Sequence, residues 1–123
     1  MNTELTLGWR EWVSLPELGI TWIKAKVDTG ARTSALHAFE LEAFKRDLRE
    51  WVRFSIHPLQ GASDRVIQCE MPILERREVT DSGGHQENRP VIETDILLGG
   101  ICKKIELTLT GRDTMRFRML LGR

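Results

Sequence analysis

The segment PVIETDILLGGICKKIELTLT, residues 90–110, restricts the fold more than any other stretch of the chain. Two runs in which apolar and β-branched residues alternate with polar ones meet at Gly99-Gly100, a pair suited to a tight hairpin turn. The rest of the chain repeats this grammar. LGWREWVSL reads as a first strand, and Pro16-Glu17-Leu18-Gly19 as a turn. In ITWIKAKVD, Ile23, Ala25 and Val27 face one way and Lys24 and Lys26 the other. SALHAFELEAF is ambiguous: Leu41, Phe44 and Leu48 have helical spacing, while Phe39, Leu41 and Ala43 alternate against Glu40 and Glu42. The hairpin reading is preferred, with KRDLRE as its loop and a return strand beginning at Trp51 or Val52. DRVIQCEMPI, RREVT and FRMLLGR complete a set of about eight short strands with no long helix pattern. The expectation is an all-β chain, a small closed barrel of mostly antiparallel strands.

At 123 residues the chain fits one domain, 1–123, long enough to bury a core without disulfides or metals. Its 18 basic and 18 acidic residues cancel, which argues against a nucleic-acid binder acting through bulk charge. No apolar run is long enough to span a membrane. The N-terminus lacks the basic and apolar regions of a secretory signal. A cytoplasmic location is expected, with Cys69 and Cys102 as buried free thiols. Trp9, Trp12, Trp22 and Trp51 are spread through strands and are expected in the core.

One stretch breaks the rhythm. In KAKVDTGARTSALHA, residues 24–38, an alternating strand ends abruptly in Asp28-Thr29-Gly30-Ala31. A strand that ends this way fixes a carboxylate at a tight turn, with Gly30 permitting close backbone approach. Thr29 can hydrogen-bond to a neighbouring copy of the same loop. Hydrolysis of an amide by carboxylates alone needs two of them, one as general base on water and one protonated to polarise the carbonyl. Held face to face, two aspartates share one proton and titrate as a pair. The chain has one such motif, so the second Asp has to come from another subunit across a two-fold axis. On the tripeptide alone, the preferred reading is a turn whose Asp caps a loop, because such turns are common.

A second feature weighs on that choice. MLLGR, residues 119–123, places two Leu before Gly122, and the pair of motifs resembles the retropepsin-like aspartic proteases. LPELGI, AKVDTGARTSALHA, RPVIET, IELTLTGRDTM and FRMLLGR, in this order, are similar to a small bacterial family of that kind. It is associated with glutamate ligases and often labelled "ATP-dependent zinc protease". The resemblance implies an acid-protease barrel, a homodimer, catalytic Asp28, Thr29 and Gly30, and a link with ATP-grasp ligases that add glutamate tails to proteins. Two departures stand out. The viral enzymes carry an acid two residues past the motif's Gly, where this chain has Arg32. With Ala31, Arg32 becomes a candidate substrate contact and suggests an acidic, glutamate-rich substrate; it reads equally as a structural residue that pairs with an acid of its own chain and holds the loop. The viral fold also continues beyond the position of Arg123, so either the segment is truncated at its C-terminus or the family dimerises by other means.

No metal or other cofactor is expected. There is no His-Glu-x-x-His; His37, His57 and His85 are widely spaced, and Cys69 and Cys102 form no Cys-x-x-Cys. No Gly-rich loop precedes Lys-Ser or Lys-Thr, so ATP dependence would belong to a partner ligase. DSGGHQENR, with Ser82, Gly83 and Gly84, reads equally as a flap over substrate or as a solvated hairpin end. Arg89, Arg112 and Arg123 are expected in surface or structural ion pairs. Two functions remain open: an aspartic endopeptidase acting on glutamate-rich or glutamylated tails, and a non-catalytic barrel that binds acidic tails or a ligase partner.

Overall fold

The structure is a computed structural model that describes residues 10–27, 33–57, 66–80, 83–111 and 118–122. Among these residues the elements are β1 (Arg10–Leu15), a 3-10 turn (Pro16–Leu18), β2 (Ile20–Val27), β3 (Ser34–His37), β4 (Phe39–Arg46), β5 (Arg49–Ile56), β6 (Ile67–Pro72), β7 (Glu75–Thr80), β8 (Gln86–Leu98), β9 (Ile101–Thr110) and β10 (Met119–Leu121). Six of them close a barrel in the order β1-β2-β10-β3-β9-β8, with Ser14 opposite Leu97 joining β1 to β8. The β2–β10 and β3–β9 pairings are parallel and the other barrel pairings antiparallel. β7 extends the barrel sheet on β8, and β4-β5-β6 form a separate antiparallel sheet.

Alternation along the strands explains the closure. Val13 and Leu15 of β1, Ile23 and Ala25 of β2, Leu36 of β3, Ile92 and Ile96 of β8, Leu107 and Leu109 of β9 and Met119 of β10 are buried in one core. Val52, Phe54, Ile56 and Cys69 of the second sheet belong to the same cluster, so that sheet has one dry face. Each such side chain contributes about 1.5–3 kcal/mol relative to exposure. The Cys69 Sγ donates to the Leu18 carbonyl at 3.4 Å, tying the second sheet to the 3-10 turn, and burial pushes the thiol up to about 11.

The other face of the second sheet is wet and ordered in rows. Phe44, Trp51 and Pro72 align in one row, and Glu42, Arg53 and Glu70 in the next. Arg46 lies over both the Phe44 and Trp51 rings, at 5.1 and 4.6 Å. Arg46 and Arg53 each donate to Glu70 at 2.8 Å, and hold its carboxyl below the usual carboxylate range.

Residues 39–56 form the hairpin and not the helix. The turn is tighter than expected: Asp47 and Leu48 alone make it, both at positive φ (51° and 66°), and the return strand begins at Arg49. The Gly99-Gly100 turn likewise has two positive-φ residues and pairs Leu98 with Ile101. SALHAFELEAF divides into β3 and β4 at Ala38, which brings the strands among the described residues to ten.

Three expectations about burial fail. Trp12 and Trp22 are 48% and 55% exposed, because both sit on the outward side of strands whose inward positions are Val13 and Ile23. Trp51 is half-buried on the wet face of the second sheet. Cys102 is exposed, since on β9 it shares the outward row with Leu97. Trp9, Arg112 and Arg123 lie outside the described residues.

Candidate active site

The sequence points to residues 28–32, and β2 leads into them. Asp28, Thr29, Gly30, Ala31 and Arg32 all lie outside the described residues, so the structure speaks to their frame. β2 ends at Val27 and β3 begins at Ser34. These two strands do not pair with each other: β10 lies between them. Along β2 it runs parallel, with Ala25, Lys26 and Val27 opposite Met119, Leu120 and Leu121. Along β3 it runs antiparallel, with Leu36 and Ala35 opposite Met119 and Leu120. The segment bearing Asp28 therefore links the two strands that enclose the Leu-Leu-Gly strand. The end of β2, the start of β3 and the Leu-Leu-Gly strand share one corner of the barrel.

Ser34 anchors that corner. It is buried, its hydroxyl accepts the Gly122 N–H at 3.0 Å, and its carbonyl accepts the Thr108 hydroxyl at 3.1 Å. The exit of the loop is thereby tied to both β10 and β9. The sequence reading passed over Ser34 and Thr108. The available signal was a small hydroxyl residue opening a fully buried strand, where each polar atom needs a partner.

The other described site candidates, Gly83 and Gly84, lie between β7 and β8. Residues 86–90 extend β8 past the end of its β9 pairing at Val91 and pair with β7 alone. Gly83 and Gly84, the latter at φ 84°, lie at the exposed tip of this hairpin, and Ser82 is outside the described residues. The base is clamped. Arg76 pairs with Glu50 of β5 at 2.9 Å, and the Ile73 N–H donates to the Glu50 carbonyl at 2.9 Å. Arg77 reaches Glu106 of β9 at 2.9 Å and also pairs with Glu75. Arg89, expected in an ion pair, donates to Glu87 at 2.7 Å, and the Thr110 hydroxyl donates to the same oxygen at 3.0 Å. A cleft of about 240 Å³ lies between this hairpin and the β4–β5 hairpin, lined by Leu41, Val52, Ile73, Arg76, Pro90 and Leu109 among others. A second, apolar groove of about 270 Å³ adjoins Leu121 and Gly122 and runs over Ile96, Leu98, Ile101 and Ile105.

The zinc in the older family label finds no ligand set in this part of the chain. Among the described residues no three His, Cys, Asp or Glu side chains are grouped to hold a metal. His37 is buried on β3, His57 stacks on Phe39 with centroids 4.6 Å apart, and Cys69 is engaged with Leu18. Among the described residues, no helix is long and apolar enough to cross a membrane.

Comparison with known proteins agrees with this frame. A family model described as RimB-like, "Retropepsin-like aspartic endopeptidase RimB", matches residues 6–123. A probable alpha-L-glutamate ligase of Shewanella pealeana is 45% identical over 122 residues, covering 99% of this chain and 27% of that protein. Proteins of the same name from Desulfotalea psychrophila and Parasynechococcus marenigrum are 49% and 50% identical, over 95% and 100% of this chain and 25% and 26% of theirs. The chain thus spans about a quarter of the length of these curated relatives. The crystal structure of Lpg0085, a Legionella pneumophila protein with unknown function, superposes with a TM-score of 0.73 at 26% identity, over 94% of this chain and 81% of that one.

Proposed function

The chain belongs to the RimB-like family of retropepsin-like aspartic endopeptidases, and from that premise we propose that it is an aspartic endopeptidase of the cytoplasm, completed by a second copy of itself. The observation that carries the reading is the threading of β10 between β2 and β3, with Val27, the residue before the only Asp-Thr-Gly of the sequence, opposite Leu121. In this reading Asp28 of each copy supplies one carboxylate. The ionised member takes a proton from water, whose oxygen adds to the scissile carbonyl carbon. The protonated member donates to the carbonyl oxygen, and a proton then passes to the departing amine as the C–N bond breaks. Thr29 and Gly30 hold the loop, and the β7–β8 hairpin with Ser82, Gly83 and Gly84 closes over the bound segment.

The substrate in this reading is a glutamate-rich or glutamylated tail. Two observations support it: Arg32, adjacent in sequence to the Asp-Thr-Gly loop, and curated relatives named as probable alpha-L-glutamate ligases. Arg32 engages a substrate carboxylate through its two parallel donors, beside Ala31. An ATP-grasp glutamate ligase is the corresponding partner. The test is cleavage of a glutamate-rich peptide by the purified protein. Mildly acidic pH should favour turnover, chelator should leave it intact, and Asp28→Asn should abolish it with an unchanged melting temperature. Chelator-sensitive cleavage that survives Asp28→Asn would transfer the chemistry to a metal, and binding without cleavage would leave a recognition module.

A further inference from the structure

β2 has a second face that the catalytic reading leaves unused. Its inward positions, Ile23 and Ala25, are fully buried. Its outward positions are Trp22, Lys24 and Lys26. Trp12 of β1 stands opposite Lys24 in register and so on the same outer wall. Two indoles this open, at 48% and 55% exposure, are unusual on a small barrel, because they leave large apolar rings in water. The Lys24 ammonium lies 5.4 Å from the centre of the Trp12 ring, and among the described residues it pairs with no carboxylate. The neighbouring row continues through Ser14, Leu97 and Cys102 without an acid. Farther along that side, Asp95 is bonded to Lys104 at 3.3 Å, and its N–H donates to Glu17 at 2.9 Å.

The four side chains of this wall share one chemistry. Indole N–H and lysine ammonium groups donate hydrogen bonds and accept none, so a fitting ligand has to bring acceptors and negative charge. Trp22, Lys24 and Lys26 recur at every second residue of one strand, about 6.6–6.8 Å apart. An extended peptide presents its own side chains on one face with that same repeat. Glutamates at alternate positions would therefore meet successive lysines while their methylenes lie on the indoles. Lys26 precedes Asp28 by two residues in the sequence, so the wall leads to the candidate catalytic loop.

We infer that the outer wall of β1 and β2, built from Trp12, Trp22, Lys24 and Lys26, is a docking track for an acidic, glutamate-rich segment of the substrate protein, outside the bond that is cut. The inference rests on the endopeptidase reading for its substrate class but not for its test. Fluorescein-labelled deca-α-L-glutamate is titrated by anisotropy against the Asp28→Asn chain, with and without Lys24→Gln/Lys26→Gln or Trp22→Ala. Losing two partly exposed ion pairs should weaken Kd by about 3- to 30-fold. Trp22→Ala should weaken it further, melting temperatures should stay unchanged, and deca-L-glutamine should not bind. With Asp28 intact, the lysine variant should raise KM for a long glutamate tail and leave kcat unaltered.

Equal binding by wild-type and variant walls, or no binding of deca-glutamate at all, overturns the inference. So does a Trp12→Ala/Trp22→Ala chain that sediments as monomer where the parent is a dimer yet keeps its peptide affinity. That result would make the wall a contact between copies. Lysine-dependent binding with no cleavage would remove the peptidase and keep the track. Asp28-dependent cleavage with KM and Kd indifferent to the lysines would do the reverse.

Discussion

Replacing Ser34 by Ala tests whether the candidate catalytic corner is held by the bonds described above. The hydroxyl of Ser34 accepts the Gly122 N–H at 3.0 Å, and Ser34 is 8% exposed. A made hydrogen bond of this kind contributes about 0.5–1.5 kcal/mol net, and a buried donor left without a partner costs about 1–3 kcal/mol. Gly122 is only half-buried, so water reaches part of the vacated space and the lower half of that range applies, about 1 kcal/mol. For a chain of 123 residues the unfolding entropy makes this about a 4 °C drop in melting temperature.

The local effect should exceed the global one. Exchange of the Gly122 amide should accelerate while amides of β5 and β6 keep their rates, because Gly122 lies just past the end of β10 and its N–H is held by the Ser34 hydroxyl. Thr108→Val supplies the control: it removes the donor to the Ser34 carbonyl without touching the side-chain bond. Both bonds end on Ser34, so the two losses should couple by about 0.5 kcal/mol or more. If Ser34→Ala leaves both the melting temperature and Gly122 exchange unchanged, the bond does not anchor the corner. Simple additivity would mean that Ser34 and Thr108 do not act as one network.

Leu48 is fully exposed at φ 66°, so Leu48→Gly should stabilise the β4–β5 hairpin by about 1 kcal/mol, seen as a rise in melting temperature. Glu87→Gln should cost about 1–2 kcal/mol in urea denaturation and speed amide exchange at Gly83 and Gly84, since it removes the negative charge from the acceptor that Arg89 and Thr110 share. Under native conditions at pH 8, maleimide should label Cys102 and spare Cys69, as read by mass spectrometry. The Cys69 thiol is raised from its ordinary value of 9.0 to about 11, so the unfolded chain releases that proton first. Its contribution to stability is intact below about pH 9 and declines towards pH 11, by no more than about 2–3 kcal/mol. The stability gap between wild type and Cys69→Ala should narrow over that window.

Much of the barrel was legible because period-two alternation has a direct physical reading. PVIETDILLGGICKKIELTLT gave β8, β9 and their turn, and two glycines at positive φ close it as the sequence suggests. The tryptophans misled because residue type was weighed above position: Trp22 and Lys24 share the outward parity of β2, and that parity places Trp22 in water. The Asp47-Leu48 turn was hard to see, since Leu is a poor residue for positive φ and packing of Val52, Phe54 and Ile56 sets the register instead. Ser34 and Thr108 were invisible for another reason. Their bonds join positions 74 residues apart, a distance no local pattern encodes, and only the closed barrel brings them together.

One strand explains why the sequence reads as it does around the candidate site. β2 has to do three things in eight residues. Its inward side, Ile20, Ile23 and Ala25, is fully or nearly fully buried, and that is the term that fixes register, because a slip of one residue would turn Trp22, Lys24 and Lys26 into the barrel. Its far edge pairs with β10, so the register fixed by the core also decides which residue of β2 stands opposite Leu121. That residue is Val27, the last before Asp28. Its outward side is free to carry tryptophan and lysine, because the core makes no demand on it. A single insertion within β2 would therefore fail in all three ways at once. It would bury lysines, offset Val27 from Leu121, and rotate the donors away from the outer wall. Inserting one Ala after Trp22 should abolish the cooperative melting transition. A chain that still folded with Val27 opposite Leu121 would show that the core on β2 does not set the position of the loop.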